Sequence, residues 1–215
     1  AVAAAAYPVF SRLADVGELR IVFERSLKLA VAAAMPFTVG AALLATPIVE
    51  LLYGDEFEPS GRILVLLAPT IALYSFNHVS GVLLLSRNAQ RMLAVLYGVM
   101  AVENIAANFA TIPSYGMTAA AVNTTVTEAL LFVGMAAVAM RFTGRVGWVR
   151  ILAGPLLAAA VAAGLMALVR DSSLALAAVA GLAGYVIVLA GFEWIAFPDD
   201  VHAVTKFLGR AEPVA

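Results

Sequence analysis

The sequence predicts an all-α protein, a polytopic bundle of transmembrane helices. Hydrophobic residues make up 63% of the 215 residues and charged residues only 13%, and the mean hydropathy is +0.98. Soluble domains are closer to half apolar and a quarter charged. Crossing a bilayer core of about 30 Å takes roughly 20 helical residues. Six stretches are long and apolar enough, at about 27–52, 63–85, 92–112, 117–140, 151–169 and 174–197.

Both ends of the chain carry shorter apolar or amphipathic segments. The first ten residues, AVAAAAYPVF, span only about 15 Å at 1.5 Å per residue. We expect them to be the end of a seventh helix that begins upstream, so that residues 1–197 form a single transmembrane bundle truncated at its N-terminus. Residues 198–215 are predicted to be a cytoplasmic amphipathic tail. The segment 15–26 has the same amphipathic pattern, and we expect both to lie along the inner membrane surface.

The connections between the six stretches carry positive charge unevenly. Alternate connections and the C-terminal tail together hold eleven of the thirteen Lys and Arg residues. Cytoplasmic loops are enriched in Lys and Arg. The pattern therefore predicts that segments 11–26, 86–91 and 141–150 and the C-terminus face the cytoplasm of a multi-pass plasma (inner) membrane protein.

The composition argues against several classes of function. The chain has no cysteine, and its two histidines, His78 and His202, are far apart in sequence. Disulfides, thiolate catalysis and histidine-based metal sites are therefore not expected. A net charge of −1 gives no basic excess for nucleic acid, and the sequence lacks a glycine-rich phosphate loop. We expect no catalytic residues, no cofactor, no metal and no nucleic-acid partner.

Polar side chains occur inside the apolar stretches. There they are costly and usually face the bundle interior or a wet cavity. Pro113 should close one helix and Tyr115-Gly116 should turn the chain into the next, so the polar faces of these two helices should meet. The candidates for substrate contact or ion coupling are Asn77, His78, Glu103, Asn104, Asn108, Asn123, Thr127 and Glu128.

These candidates have different expected roles. Asn104 and Asn108 lie four residues apart on one helix face, and we expect them to hydrogen-bond between helices. For Glu103 and Glu128, two alternatives stay open: a protonated packing residue, or a protonation switch or substrate contact. We expect His78 to be a core histidine with satisfied hydrogen bonds, with titration near neutrality as the alternative. We expect a position at the membrane interface for Glu193, beside Trp194 near a helix end.

Several spaced motifs resemble one protein family. They are PVFSRLAD (8–15), LYGDEF (52–57), GVLLLSRNAQR (81–91), NIAANFATIPSYG (104–116) and TEALL (127–131). In this order and spacing they resemble the polysaccharide-flippase branch of the multidrug/oligosaccharidyl-lipid/polysaccharide exporter superfamily. The segment 104–116 is the most specific of them, since it resembles the family's paired asparagines followed by Ile-Pro-x-Tyr-Gly.

The resemblance implies the C-terminal lobe of a two-lobed exporter. Such a protein moves a polyprenyl-pyrophosphate-linked oligosaccharide across the plasma membrane by alternating access. The implied partners are membrane lipids, the lipid-linked oligosaccharide, an N-terminal lobe of the same chain, and a polysaccharide polymerase or glycosyltransferases of the cell envelope.

A pyrophosphate calls for paired cations, and no Lys or Arg lies near the middle of a predicted span. We expect the missing half to supply most of these cations. Arg12, Arg87 and Arg91, at the cytoplasmic rim, are the candidates within this chain. The same three residues also fit topology signals and anchors for lipid phosphates.

Three other functions compete with this one. The alternative within the same superfamily is a cation-coupled multidrug antiporter, which needs a cavity acid such as Glu103 or Glu128 and aromatic walls. A membrane enzyme would need acids or histidines clustered at a membrane face, and Asp55, Glu56 and Glu58 resemble a solvated loop instead. A purely structural membrane subunit would not need so many amides within its spans.

Overall fold

The computed structural model describes residues 2–170 and 172–198, with side chains described from residue 6 onward. This part of the chain is almost entirely α-helical and contains no strand. Apart from Pro198, the predicted tail of residues 198–215 lies outside the described residues, as does His202. The helices are α1 (Val2–Arg12), α2 (Val16–Leu43), α3 (Ala45–Tyr53), α4 (Glu58–Ser86), α5 (Gln90–Thr143), α6 (Trp148–Val169) and α7 (Leu174–Ala196), with a 3₁₀ turn at Asp55–Phe57.

Five of the described helices are long and apolar enough to cross a membrane, namely α2, α4, α5, α6 and α7. The chain is therefore a multi-pass membrane protein of the all-α class. Helix α5 has 54 residues, or about 80 Å at 1.5 Å per residue, far more than one bilayer crossing needs.

Helix α5 is a hairpin rather than one straight rod. Its backbone leaves the helical conformation at Gly116, where φ is 58° and ψ is −139°. The Asn123 amide donates a hydrogen bond of 2.9 Å to the Asn108 side chain across this point, so the two arms run antiparallel. We call residues 90–115 the first arm and residues 117–143 the second arm. The reversal predicted at Tyr115-Gly116 is confirmed, but the first arm stays helical through Pro113 instead of ending there.

The predicted surface helix at 15–26 is wrong, because this segment is the beginning of α2. The Asp15 carboxylate accepts a hydrogen bond of 2.8 Å from the Glu18 amide and so caps the N-terminus of α2. The helix then continues without a break to Leu43. Leu19 and Phe23 are buried in the protein core. The apolar face of this amphipathic segment therefore packs against other helices instead of lipid.

The apolar stretch 27–52 is not a single helix either. Pro47 has no amide proton for the carbonyl of Leu43, and its ring clashes with that carbonyl in a continuous helix. Helix α2 accordingly ends at Leu43, and α3 starts at Ala45. Helix α3 then lies close against α4, since a Cβ added to Gly61 would come within 2.8 Å of the Thr46 Cα.

The main core connects α1, α2, α4, α5 and α6. Helix α2 is central, with its most extensive contacts to α4 and α6. Phe76, Phe132 and Trp148 form a cluster of rings with centroids 4.3–5.8 Å apart. The largest buried apolar side chains around it are Phe10, Phe23, Leu27, Leu83, Leu84, Met135 and Ile151.

Helices α6 and α7 pack through small residues. Ala158, Ala159 and Ala162 surround the buried Tyr185 ring, whose hydroxyl donates a hydrogen bond of 2.8 Å to the Ala32 carbonyl of α2. Small residues let membrane helices approach closely, where dispersion and interhelical hydrogen bonds hold them together. The pair α6–α7 is thereby fixed to the central helix.

Connections alternate between two ends of the bundle. At one end the Arg87 guanidinium donates to the Leu13 carbonyl at 2.7 Å, and the Gly147 amide donates to the Glu24 carboxylate at 2.8 Å. The connections α1–α2, α4–α5 and α5–α6 are therefore neighbours, as the charge alternation predicted. We call this the basic end, because it holds Arg12, Arg20, Arg25, Lys28, Arg87, Arg91, Arg141, Arg145 and Arg150.

Candidate functional site

A chain of side-chain hydrogen bonds joins the two arms of α5. Asn123 donates to Asn108, Asn108 donates to Asn104, and Asn104 donates to the Thr127 hydroxyl, each over 2.9 Å. Thr127 in turn donates to the Glu103 carboxylate over 2.7 Å. We call these five residues the hairpin ladder. Each member donates to the next one along the ladder, which ends at the Glu103 carboxylate. The polar faces of the two arms therefore meet, as predicted.

The ladder can carry Glu103 in either protonation state. The single hydroxyl proton of Thr127 has two acceptors in range, the Glu103 carboxylate at 2.7 Å and the Asn123 carbonyl at 2.8 Å. When that proton turns to the Asn123 carbonyl, a protonated Glu103 can donate to Thr127 instead. Both arrangements of hydrogen bonds use the same heavy-atom positions.

A second polar contact ties α4 to the second arm. Asn77 is only 2% exposed, and its amide donates to the Glu128 carboxylate at 2.7 Å and to the Glu128 carbonyl at 3.2 Å. The Asn77 carbonyl oxygen has no hydrogen-bond partner in the described structure. Nearby, the Thr125 hydroxyl donates to the Leu66 carbonyl at 2.7 Å. Asn77 therefore holds the Glu128 carboxylate in place at the edge of α4.

Glu128 borders a groove of about 420 Å³ between α4 and the second arm. The Tyr74 ring is 61% exposed and stacks on the His78 ring, with centroids 5.9 Å apart and planes 8° apart. Tyr97 of the first arm lies within electrostatic range of Glu128 and Tyr74. We call this the Glu128 groove; it is lined by Thr70, Ile71, Tyr74, Ser75, Thr124 and Glu128.

His78 is not the core histidine that we expected. Its side chain lies on the exposed side of α4, whereas its neighbour Asn77 points into the core. Successive helical residues point about 100° apart, so α4 can turn Asn77 into the core while the next side chain faces outward. The structure thus separates the two, with Asn77 bonded to Glu128 and His78 beside the groove on Tyr74.

The three rim arginines lie at the basic end but differ in their surroundings. Arg12 and Arg91 are exposed. Arg87 is half-buried and donates to the Leu13 carbonyl, which ties the α4–α5 connection to the α1–α2 connection. Arg87 therefore has a structural contact that its position in the sequence did not reveal.

A buried charged group at the basic end was missed in the sequence. Lys28 of α2 forms an ion pair with Glu193 of α7, and both side chains are largely buried. The Lys28 ammonium also lies 4.0 Å from the centroid of the Phe197 ring. Glu193 therefore faces inward, while the adjacent Trp194 is exposed.

No group of three His, Asp or Glu side chains in the described ranges is arranged to hold a metal ion. The chemistry that the site offers is instead that of hydrogen bonds, two membrane-embedded carboxylates and exposed aromatic rings. Glu103 and Glu128 lie on opposite arms of one hairpin, Glu103 held by the Thr127 hydroxyl and Glu128 by the Asn77 amide.

Comparison with protein families gives a match at the N-terminal end of the chain. Residues 1–62 match the model of a family described as polysaccharide biosynthesis protein. The matched part contains α1, α2, α3 and the start of α4, and of the candidate site residues it contains only Arg12. No curated protein matches the chain. The match supports the resemblance to polysaccharide biosynthesis and export proteins, and together with the multi-pass helical architecture it fits a membrane transporter.

Proposed function

We propose that this chain is the C-terminal lobe of a flippase, a transporter and not an enzyme. Its cargo would be a polyprenyl-pyrophosphate-linked oligosaccharide, moved across the plasma membrane for the synthesis of a cell-envelope polysaccharide. Alternating access against a second lobe is the mechanism, with the cargo exposed first to the inner and then to the outer leaflet. The match of residues 1–62 to polysaccharide biosynthesis proteins supports this choice of cargo.

The observation that carries the proposal is the Glu128 groove on the outside of the helix bundle. A carboxylate and several hydroxyl groups line it at the level of the membrane-spanning helices. Ionisable residues at that depth normally face a bundle interior or a water-filled cavity, because lipid solvates them poorly. We infer that this face lines a translocation pathway, closed on its open side by another lobe.

The hairpin supports a count of six crossings. Its arms have 26 and 27 residues, each about 40 Å at 1.5 Å per residue and so long enough to span the bilayer separately. With α2, α4, α6 and α7 they make six spans. The positive-inside rule then assigns the basic end and the C-terminus to the cytoplasm.

The cargo's pyrophosphate would first contact the protein at the basic end. Arg12 and Arg91 are exposed there and can contact phosphate. Arg87 holds its neighbouring connection in place through the Leu13 carbonyl. Glycosyltransferases and a polysaccharide polymerase, together with membrane lipids, are the partners that this role implies.

A reconstitution experiment tests the proposal. The full-length protein is placed in liposomes that contain a fluorescent polyprenyl-pyrophosphate-linked oligosaccharide, and a membrane-impermeant quencher reports the cargo in the outer leaflet. We expect protein-dependent loss of the protected fraction, and slower loss in an Asn77→Ala variant because Glu128 loses its partner. Quenching no faster than in protein-free liposomes would rule out this function.

A multidrug antiporter is the second candidate. It is favoured by one observation, that Glu128 and the exposed Tyr74 ring line the same groove, which suits an organic cation. Ethidium efflux from cells that express the full-length protein tests it. Efflux driven by an ion gradient, with no movement of lipid-linked oligosaccharide in the liposome experiment, would favour the antiporter.

A further inference from the structure

We propose that the Glu128 groove holds a sugar ring of the cargo and excludes its pyrophosphate. This inference rests on the proposed flippase function and assigns a specific part of the cargo to a specific part of the lobe. It follows from the hydrogen-bonding character of the groove, the exposed aromatic pair beside it, and its charge.

Apart from the Tyr74 hydroxyl, the side-chain polar groups that line the groove are available as acceptors rather than donors. The hydroxyls of Thr70, Ser75 and Thr124 each donate to a backbone carbonyl three or four residues earlier, at 2.6, 3.0 and 2.9 Å. A hydroxyl has one proton and two lone pairs, so these three groups can only accept further hydrogen bonds. The Glu128 carboxylate adds two acceptor oxygens, one of which already receives the Asn77 amide. A complementary ligand must therefore be rich in donors, as the hydroxyl groups of a sugar are.

The charge of the groove excludes a pyrophosphate. Its lining contains one carboxylate and neither Lys nor Arg. Phosphate oxygens are acceptors that need cations or amide donors, and a carboxylate in the low dielectric of a membrane protein repels them. The pyrophosphate and the sugar must then bind at different places, with the sugar nearer the hairpin.

The aromatic pair supplies the apolar part of a sugar site. The Tyr74 and His78 rings stack nearly parallel along α4, and the Tyr74 ring is part of the groove wall. The C–H face of a pyranose carries partial positive charge and packs well on the negative face of an aromatic ring. The groove volume of about 420 Å³ lies within the range of roughly 300–1,000 Å³ found for small-molecule sites.

A lipophilic cation is the main competing ligand because most of the groove surface is apolar, whereas the number and spread of its polar groups favour the sugar. Apart from Tyr74, only Ile71 is apolar among the lining residues. A lipophilic cation needs several apolar or aromatic walls, whereas acceptors spread around the groove match several hydroxyl groups at once. The competing ligand therefore becomes an outcome of the test.

Saturation-transfer NMR on the full-length protein in nanodiscs tests the inference. The probes are methyl β-glucoside and methyl N-acetyl-β-glucosaminide for the sugar, inorganic pyrophosphate for the anion, and tetraphenylphosphonium for the cation. We expect saturation transfer to the ring protons of a glycoside, and about tenfold weaker binding in Tyr74→Ala and in Glu128→Gln. Tyr74→Phe should bind like the wild type, because it keeps the ring face.

Matched controls separate local from global effects. Tyr53 is as exposed as Tyr74, at 64%, and also lies beside an aromatic ring, but it belongs to α3. Tyr53→Ala and Glu56→Gln should therefore leave glycoside binding unchanged. Glu128→Gln keeps a side-chain oxygen that can accept from Asn77, so its loss of binding would not come from unfolding.

Three results would overturn the inference. One is glycoside binding that is absent, or unchanged in both Tyr74→Ala and Glu128→Gln. Another is pyrophosphate binding that depends on Tyr74, and the third is tetraphenylphosphonium binding at the groove without any glycoside binding. Glycoside binding with no movement of lipid-linked oligosaccharide in liposomes would instead refute the flippase function and leave the sugar site standing.

Discussion

The reversal of α5 depends on a single residue with a positive φ. Gly116 has φ 58° and ψ −139°, a combination that side chains with a Cβ rarely adopt. We expect Gly116→Ala to destabilise the protein by about 1–3 kcal/mol through backbone strain. The measurement is unfolding in mixed dodecyl maltoside and SDS micelles, followed by circular dichroism.

Gly98→Ala is the matched control for that substitution. Gly98 lies in the first arm with ordinary helical geometry, and a Cβ there would meet nothing within 4 Å. Alanine at a helical position is favoured over glycine by roughly 0.5–1 kcal/mol, so this variant should be neutral or more stable. Equal stabilities of the two variants would show that the hairpin does not rely on Gly116.

The ladder makes a second prediction at the level of single bonds. Asn123 donates to Asn108 over 2.9 Å between the arms. In a double-mutant cycle of Asn108→Ala and Asn123→Ala, we expect a coupling free energy of about 0.6 kcal/mol and at most about 1.7 kcal/mol. A control cycle pairs Asn123→Ala with Thr38→Ala in α2, whose hydroxyl bonds to its own helix, and should be additive within about 0.3–0.5 kcal/mol. Coupling no larger than in the control cycle would contradict the bond.

Sequence spacing predicted the ladder well and the position of His78 poorly. Asn104 and Asn108 are four residues apart, so any helix places them on one face, and the turn at Gly116 fixes which residues they meet. For His78 the sequence predicts how deep the residue lies in the membrane but not the direction in which its side chain points. Whether a residue at that depth points inward depends on how α4 rotates against its neighbours, and the apolar residues on all sides of α4 leave that rotation undetermined.

At the level of helices, amphipathicity alone could not assign the segment 15–26. Apolar residues at helical spacing among charges suit a helix on a membrane surface and a helix that packs on protein equally well. The structure buries Leu19 and Phe23 because α1 and α4 cover that face. The break before Pro47 agrees with the missing amide proton of proline, but Pro36 and Pro113 lie inside continuous helices, so a proline alone does not predict where a helix ends.

The ion pair between α2 and α7 should be a strong link at the basic end. Lys28→Met leaves the Glu193 carboxylate buried beside an apolar side chain, and breaking one partner of a buried pair typically costs about 3–5 kcal/mol. Adding Glu193→Gln to Lys28→Met should recover much of the loss, because no uncompensated charge stays buried. Unfolding in mixed micelles measures both variants.

An exposed pair serves as the comparison. Arg62 and Glu58 approach to 3.7 Å on α4, with side chains 81% and 51% exposed. Such pairs contribute about 0–1 kcal/mol, so Arg62→Met should have little effect. A Lys28→Met variant as stable as Arg62→Met would mean that the pair does not hold α7 to α2.

For the whole molecule, charge was the most informative part of the sequence. The basic connections were predicted to lie on one side, and contacts such as Arg87 to Leu13 and Gly147 to Glu24 bring them to one end. Positive loop charge predicts topology because Lys and Arg are enriched in cytoplasmic loops, and this enrichment does not depend on side-chain packing. The Lys28–Glu193 pair depends on packing between helices far apart in sequence, so no local pattern could reveal it.

Six membrane crossings and five crossings predict different positions for the two ends of α5. If each arm of α5 spans the membrane, Gln90 at its start and Arg145 just after its end lie on one side, and Ser114 lies on the other side with Glu56. A single crossing by α5 would put Gln90 and Arg145 on opposite sides. The chain contains no cysteine, so single cysteines can be introduced at these four positions without background labelling.

Labelling with a membrane-impermeant maleimide in intact and permeabilised cells distinguishes the two topologies. We expect Ser114→Cys and Glu56→Cys to react in intact cells, and Gln90→Cys and Arg145→Cys to react only after permeabilisation, because the basic end faces the cytoplasm. Met135→Cys, at a fully buried position, should stay unlabelled in both conditions. Labelling of Gln90→Cys and Arg145→Cys from opposite sides would refute the six-span arrangement. It would also leave the Glu128 groove without the antiparallel arms that the proposed pathway requires.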